Sequence, residues 1–217
     1  MNTRIILADD HRIVREGLRS LLKRQRGLDV VAEADNGITT IQLTMELRPD
    51  VVIMDITMPD LNGIEATRQI IAALPSTKVI ALSMHADKQF IAGMFQAGAV
   101  GYLRKDCASE EITLAIRTAL RERMYLSPTI SGLSSSIEIL PEEITQFLAI
   151  SLLSPKERQV LQMIAEGKPT KYMATRLTIS EKTVEKHRQH IMAKLDLHSI
   201  AELTKYAIRK GMTSAES

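Results

Sequence analysis

Tryptophan is missing from the 217 residues, aromatic residues together make only 3%, and cysteine occurs once, at position 107. One thiol cannot close an internal disulfide, and no Cys/His cluster has the spacing of zinc ligands. Apolar runs are also short. None nears the roughly 18 residues needed to cross a bilayer, which excludes a membrane-spanning protein. The opening Met1-Asn-Thr-Arg-Ile-Ile-Leu-Ala-Asp-Asp10 puts two acids directly after a brief apolar stretch and does not read as a signal peptide. The expected compartment is the cytoplasm, with no membrane partner. A Walker loop and a dinucleotide fingerprint are both lacking, so nothing supports ATP or NAD chemistry.

What is present suits a globular protein: 45% hydrophobic and 25% charged residues. The length fits one large domain or two small ones. The formal net charge of +2 conceals an uneven distribution. Residues 1–123 hold 16 Lys+Arg and 16 Asp+Glu, while 124–150 hold no base and three acids, Glu138, Glu142 and Glu143. Residues 151–217 hold 12 bases against 7 acids, net +5. A basic C-terminal unit of this kind attracts polyanions.

The first 123 residues alternate short apolar runs with longer amphipathic ones. Strands are expected at Arg4–Ala8, Val30–Ala34, Val51–Met54, Val79–Leu82 and Val100–Leu103. Helices are expected near 12–25, 38–47, 64–73, 88–97 and 109–122. Runs such as Val51-Val-Ile-Met54 are apolar at every position, as strands covered on both faces must be. Five such βα units imply a doubly wound, parallel five-stranded sheet with helices on both sides. In that fold the functional crevice lies beyond the carboxyl ends of the strands.

The residues at those ends carry chemistry. Asp9 and Asp10 follow the first expected strand, Asp55 the third, Ser83 the fourth and Lys105 the fifth. Carboxylates forced together repel, which a hard cation relieves. Mg²⁺ suits the set, because it takes one or two carboxylates plus phosphate oxygens and keeps several waters. A carboxylate can also act as a nucleophile and form an acyl phosphate. Phosphoryl transfer then needs alignment and charge neutralisation, here from Mg²⁺, Lys105 and the Ser83 hydroxyl.

The stretches Leu7-Ala-Asp-Asp-His11, Val52-Ile-Met-Asp-Ile-Thr-Met-Pro59 and Gly101-Tyr-Leu-Arg-Lys105 resemble a response-regulator receiver domain of the flavodoxin-like fold. That resemblance spans residues 1–123. It implies Asp55 as phosphoacceptor, with Asp9, Asp10 and the Thr57 backbone carbonyl helping to bind Mg²⁺. Ser83 and Tyr102 fall at the switch positions, and Lys105 at the phosphoryl contact. Thr57 and His85, each two residues beyond a pocket residue, fall where similar receivers tune the lifetime of the phosphate. An acyl-phosphate hydrolase also uses an aspartate after a strand, but the halo-acid-dehalogenase-like pattern wants a second Asp where this chain has Thr57.

Residues 124–150 form an acidic, partly apolar connector in which a short packed helix after Pro141 is expected from Ile144, Phe147 and Leu148. The unit at 151–217 opens with Ser154-Pro-Lys-Glu157, an N-cap serine with an acid placed to close a capping box. Helices are expected at about 155–166, 170–177, 181–195 and 199–210. A short turn at Thr178-Ile-Ser180 between the second and third reads as helix-turn-helix. In the third helix Val184, Ile191 and Leu195 make a buried stripe. Lys186 and Gln189 are spaced to reach a major groove, where Lys prefers guanine and Gln adenine. Lys171, Lys182, Thr183 and Arg188 are better placed for phosphates, and Glu185 either accepts from a cytosine amino group or stays in solvent.

Leu153-Ser-Pro-Lys-Glu-Arg158, Ala165-Glu-Gly167, Ile179-Ser-Glu-Lys-Thr-Val-Glu-Lys-His187 and Lys194-Leu195 are similar to the LuxR-type domain of the NarL/FixJ class. One departure stands out: Pro169-Thr-Lys-Tyr-Met-Ala174 replaces a common Ser-Asn-Lys-Glu-Ile-Ala. The resemblance implies a transcriptional response regulator, not an enzyme. A sensor histidine kinase would phosphorylate Asp55, a homodimer would form, and promoter DNA would be bound. A phosphorylation-independent DNA-binding regulator is the alternative. The charge difference further suggests that the acidic connector restrains the resting protein. Exchanging Glu142 and Glu143 for lysine is then expected to raise the DNA affinity of the unphosphorylated protein, and unchanged affinity in a titration would dismiss the idea.

Overall fold

The computed structural model describes residues 2–84, 88–107, 109–131 and 153–213. His85, the expected helix after Pro141, and Glu142 and Glu143 lie outside the described residues. The chain divides into two compact units, one within Met1–Glu138 and one dominated by Ile139–Ser217.

The first unit alternates strands and helices: β1 (Thr3–Ala8), α1 (Arg12–Lys23), β2 (Leu28–Ala34), α2 (Gly37–Leu47), β3 (Val51–Asp55) and α3 (Gly63–Ala73). Then come β4 (Lys78–Ser83), α4 (Lys88–Gln96), β5 (Gly101–Arg104), α5 (Ser109–Ala119), β6 (Tyr125–Leu126) and the one-turn α6 (Pro128–Ser131). The sheet order is β2-β1-β3-β4-β5-β6, with every pair parallel. Side chains alternate across each strand. Ile5, Leu7, Ile53 and Leu82 therefore share one face, where they pack with Leu18 and Leu22 of α1 and Ile112 and Ile116 of α5. The opposite face is covered by α2, α3 and α4, which pack on one another in that order. Burial on both faces explains why β3 is apolar up to its last residue.

The sheet has one strand more than the five expected. Tyr125 and Leu126 pair with Gly101 and Tyr102, closed by Tyr125 N–H donating to Val100 O at 2.9 Å and Ser127 N–H to Tyr102 O at 3.0 Å. Two residues are too few to show any periodicity, so this edge strand leaves no trace in the hydrophobic pattern.

Register brings the strand ends level. Ala8 lies beside Ala34 and Met54, Asp55 beside Leu82, and Ser83 beside Arg104. Asp55 and Ser83, the last residues of β3 and β4, and Asp9 and Lys105, the first after β1 and β5, therefore share one edge. Behind Asp55 the backbone is crowded. A Cβ on Gly63 would fall 2.0 Å from the Asp55 carbonyl oxygen, so only glycine lets α3 start there. Gly63 N–H donates to Ile56 O at 2.8 Å, and the Asn62 side chain caps α3 by accepting from Glu65 N–H.

The second unit is helical: α7 (Pro155–Ala165), α8 (Thr170–Leu177), α9 (Glu181–Leu195) and α10 (Ile200–Arg209). The expected capping box at Ser154 and Glu157 is formed, and Ser199 and Glu202 make a second at α10. Thr178 takes a left-handed conformation, φ 55°, to end α8, and Ser180 caps α9 by accepting from Thr183 N–H at 3.1 Å. Val184 and Ile191 are buried while Leu195 is half-buried, and α9 packs on α7 and α8.

Two glycine substitutions are expected to act in opposite senses. Gly63→Ala should lower stability by about 2 kcal/mol or more, because backbone must move to admit the methyl. Gly17→Ala, exposed within α1 with nothing within 4 Å of the new carbon, should raise it by about 0.5–1 kcal/mol. Urea denaturation of both variants reads the contrast.

Candidate functional site

The three carboxylates and the lysine expected at the strand ends meet in one pocket. Lys105 Nζ donates to Asp55 Oδ2 at 2.7 Å and lies 2.8 Å from Asp9 Oδ2. The side chains of Asp9, Asp55 and Lys105 are only 2%, 3% and 6% exposed, so their charges act on one another with little screening by water. Asp10 stands beside them at the surface. Thr57 N–H points to Asp55 Oδ1 at 3.4 Å. Ser83 is buried at the end of β4, and its carbonyl accepts the Lys105 backbone N–H at 2.9 Å, which fixes where the lysine leaves the sheet. Tyr102, one turn of the pleat earlier on β5, is fully buried.

Electrostatics follow from this burial. Loss of water and the charge of Asp9 push the Asp55 carboxyl up to about 7, although Lys105 pulls it down. Burial works against the Lys105 ammonium, but Asp55 and Asp9 outweigh it and hold its pKa above the ordinary lysine value.

The donor set fits a hard divalent cation. One ligand atom from each of Asp9, Asp10, His11 and Asp55 lies within 4.8 Å of all the others. Asp9 Oδ2 is buried and meets no donor in hydrogen-bonding geometry, although the lysine is near. Carboxylate oxygens of this kind are what Mg²⁺ takes.

Two contributors were not assigned roles from the sequence. His11 closes the β1–α1 turn: its N–H donates to Asp9 Oδ1 at 2.8 Å and its Nδ1 lies 2.7 Å from Asp10 Oδ1. The Asp-Asp-His run was the available signal. Gly63 was signalled only by its place after Asn62, which is also how a plain turn reads.

The residues expected at nucleic acid gather on the second unit. Lys182, Glu185, Lys186 and Gln189 recur at i, i+3, i+4 and i+7 along α9 and line one shallow surface depression. Lys182, Lys186 and Gln189 are exposed, as is Lys171 in the first turn of α8. The Thr183 hydroxyl lies 2.8 Å from that of Ser180, within the cap of α9. Arg188, expected toward phosphates, is ion-paired to Glu185 on its own helix, and the Thr170 hydroxyl reaches the other oxygen of Glu185 at 3.3 Å. At the far end of α9, Lys194 Nζ donates to Glu157 Oε2 at 2.7 Å. Burial would raise the Glu157 carboxyl, but Lys194 and the Ser154 donors prevail and hold it below the usual glutamate value.

Comparison with known proteins assigns a family to each half of the chain. Residues 5–117 match the response regulator receiver domain, and 151–207 match the bacterial regulatory proteins of the luxR family. The chain is 36% identical over 213 residues to the response regulator UvrY of Escherichia coli, covering 98% of this chain and 97% of UvrY. A LuxR-family two-component response regulator from Aurantimonas sp. is 41% identical, with TM-score 0.58, over 61% of this chain and 94% of that one. A structure of two RcsB dimers bound to two parallel DNAs is 27% identical, with TM-score 0.59, over 95% and 98%. Among the described residues no helix is long and apolar enough to cross a membrane.

The raised Asp55 value has a consequence for stability. The carboxyl keeps its proton to about pH 7 in the fold, against 3.8 in an unfolded chain. The fold therefore binds more protons between these values and loses stability as pH rises from about 4 to 7, by up to about 4 kcal/mol. Without divalent cation, Asp55→Asn is expected to raise the melting temperature at pH 8, with the gain shrinking toward pH 4. A pH series of thermal melts measures this.

Proposed function

This chain belongs to the two-component response regulators that carry a receiver domain and a LuxR-type DNA-binding domain, and from that premise we propose that Asp55 is its phosphoacceptor. Proteins of this family are DNA-binding transcriptional regulators rather than enzymes, and receiver domains take their phosphoryl group from a histidine kinase. The observation that carries the assignment is the pairing of Lys105 with the buried Asp55 carboxylate at 2.7 Å.

In the proposed reaction an Asp55 oxygen attacks the phosphorus of a phosphohistidine on the kinase. The O–P bond forms, the N–P bond breaks, and the kinase histidine leaves as neutral imidazole, its departing nitrogen taking one proton from water. Asp9, Asp10, Asp55 and the Thr57 carbonyl would hold Mg²⁺, which neutralises charge on the phosphoryl oxygens when bound. Lys105 exchanges its bond to the carboxylate for one to a phosphoryl oxygen, and the Thr57 N–H is near enough to serve another. The Ser83 hydroxyl bonds a third and draws its loop inward. Tyr102, expected to turn inward on phosphorylation, is already fully buried, so the inward loop would hold it there. Thr57, beside the Asp55 carboxylate, tunes the lifetime of the group, a role the family pattern also gives to position 85.

The second step is DNA binding by a homodimer, in the cytoplasm. Two linked reading units gain affinity from effective concentration without any new contact. On each unit Lys186 and Gln189 face base edges, while Lys171, Lys182 and Thr183 orient the helix on phosphates, with the Glu185–Arg188 pair between them.

Incubation with Mg²⁺ and a small-molecule phosphodonor, followed by intact mass measurement, tests the first step. One phosphoryl group is expected on the wild type and none on Asp55→Asn. No gain with Mg²⁺ binding intact would favour phosphorylation-independent regulation, and no gain without Mg²⁺ binding would remove the pocket assignment itself.

A further inference from the structure

Glu185 is out of place on a surface that meets a polyanion. It sits on the same stripe of α9 as Lys182, Lys186 and Gln189, so its carboxylate approaches whatever those side chains approach. Repulsion from phosphates makes it a cost unless it does something there. Stabilising the fold is a weak explanation, since an i,i+3 ion pair at a surface contributes only about 0.2–0.5 kcal/mol.

Its contacts point to fixed orientation. Arg188 Nη2 holds Oε2 from one turn further along α9, and the Thr170 hydroxyl holds Oε1 from the start of α8, 3.3 Å away. The one stretch that departs from the usual LuxR-type pattern, residues 169–174, therefore supplies in Thr170 a partner for Glu185. Held from two helices, the carboxylate loses the freedom to swing aside. A carboxylate has about four acceptor sites, of which these contacts use two.

We infer that Glu185 is a base-selecting residue that restricts this protein to DNA half-sites presenting an exocyclic amine, cytosine first, at the position facing α9 between Lys182 and Gln189. The chemistry is that of the major groove edge. Cytosine N4 and adenine N6 donate, and carboxylates accept best from cytosine N4. Guanine presents O6 and N7 and thymine O4, all acceptors, against which a fixed carboxylate is repelled. Discrimination of this kind works by rejecting wrong partners as much as by attracting the right one. The pairing with Arg188 has a second effect: it withholds one cation from the phosphates, lowering affinity for DNA of arbitrary sequence.

The inference rests on the DNA-binding reading of α9, and the experiment separates the two. Full-length protein, incubated with Mg²⁺ and phosphodonor, selects from a random duplex library, in parallel with Glu185→Gln, Thr170→Val and Lys186→Ala. Wild type is expected to enrich cytosine at one position per half-site and exclude guanine and thymine there by about 10-fold. Glu185→Gln should move the preference toward adenine and leave other positions unchanged. Its affinity for non-cognate duplex should rise, with a log–log salt slope steeper by about 0.9, the signature of one more phosphate contact. Thr170→Val should broaden the same position without moving the salt slope. Identical base frequencies and slope for Glu185→Gln, while Lys186→Ala weakens binding, would overturn the inference alone. Unchanged binding in Lys186→Ala as well, or no selection by wild type, would overturn the reading of α9 on which it rests.

Discussion

Two buried carboxylates, Asp9 and Asp55, are held apart from open conflict by a single ammonium. Lys105 lies within 2.8 Å of both, and the parallel sheet exists in a form that delivers all three to one edge. Burial alone would neutralise Asp55, and the neighbouring Asp9 pushes in the same direction. The lysine partly compensates, so the pocket is charged but ill at ease. A group that brings positive charge, or negative oxygens that recruit it, finds a site already desolvated and already aligned. The helices on both faces and the level strand ends are what keep water from relaxing that tension.

Much of this arrangement is legible in the sequence alone. Val51–Met54 and its counterparts are apolar throughout because they are covered on both faces, and that signal is strong. The residues next after them could be named because strand ends in a doubly wound sheet converge. Other features left no such mark. Tyr125 and Leu126 form a strand by hydrogen bonds to an existing edge, which needs no periodicity. Gly63 matters through a 2.0 Å approach to the Asp55 carbonyl, a distance that exists only once α3 is packed. His11 gains its partners from the sharpness of the turn after β1.

The second unit shows the same division. Its capping serines, its turn at Thr178–Ser180 and its buried Val184 and Ile191 follow from local rules of helix ends and periodicity. The basic excess of +5 in residues 151–217 pointed to a polyanion, but charge counting treats every arginine alike. Arg188 is spent on Glu185, and only the packing of α8 against α9 shows that Thr170 shares the same carboxylate. Sequence spacing places side chains on a face. It does not say which of them have already chosen a partner.

Glu157 does two things at once. It closes the cap of α7 through Ser154, and it receives Lys194 from the end of α9. The reading helix is thus fastened at its far end to the start of another, like a stylus clamped at the heel. Its first half, from Glu181 to Gln189, packs against α8, where Thr170 meets Glu185, so the helix is held at both ends. The tilt of α9 within its unit thus depends in part on α7's first turn, and a change there would re-aim the exposed face of α9 while Lys182, Lys186 and Gln189 stayed the same.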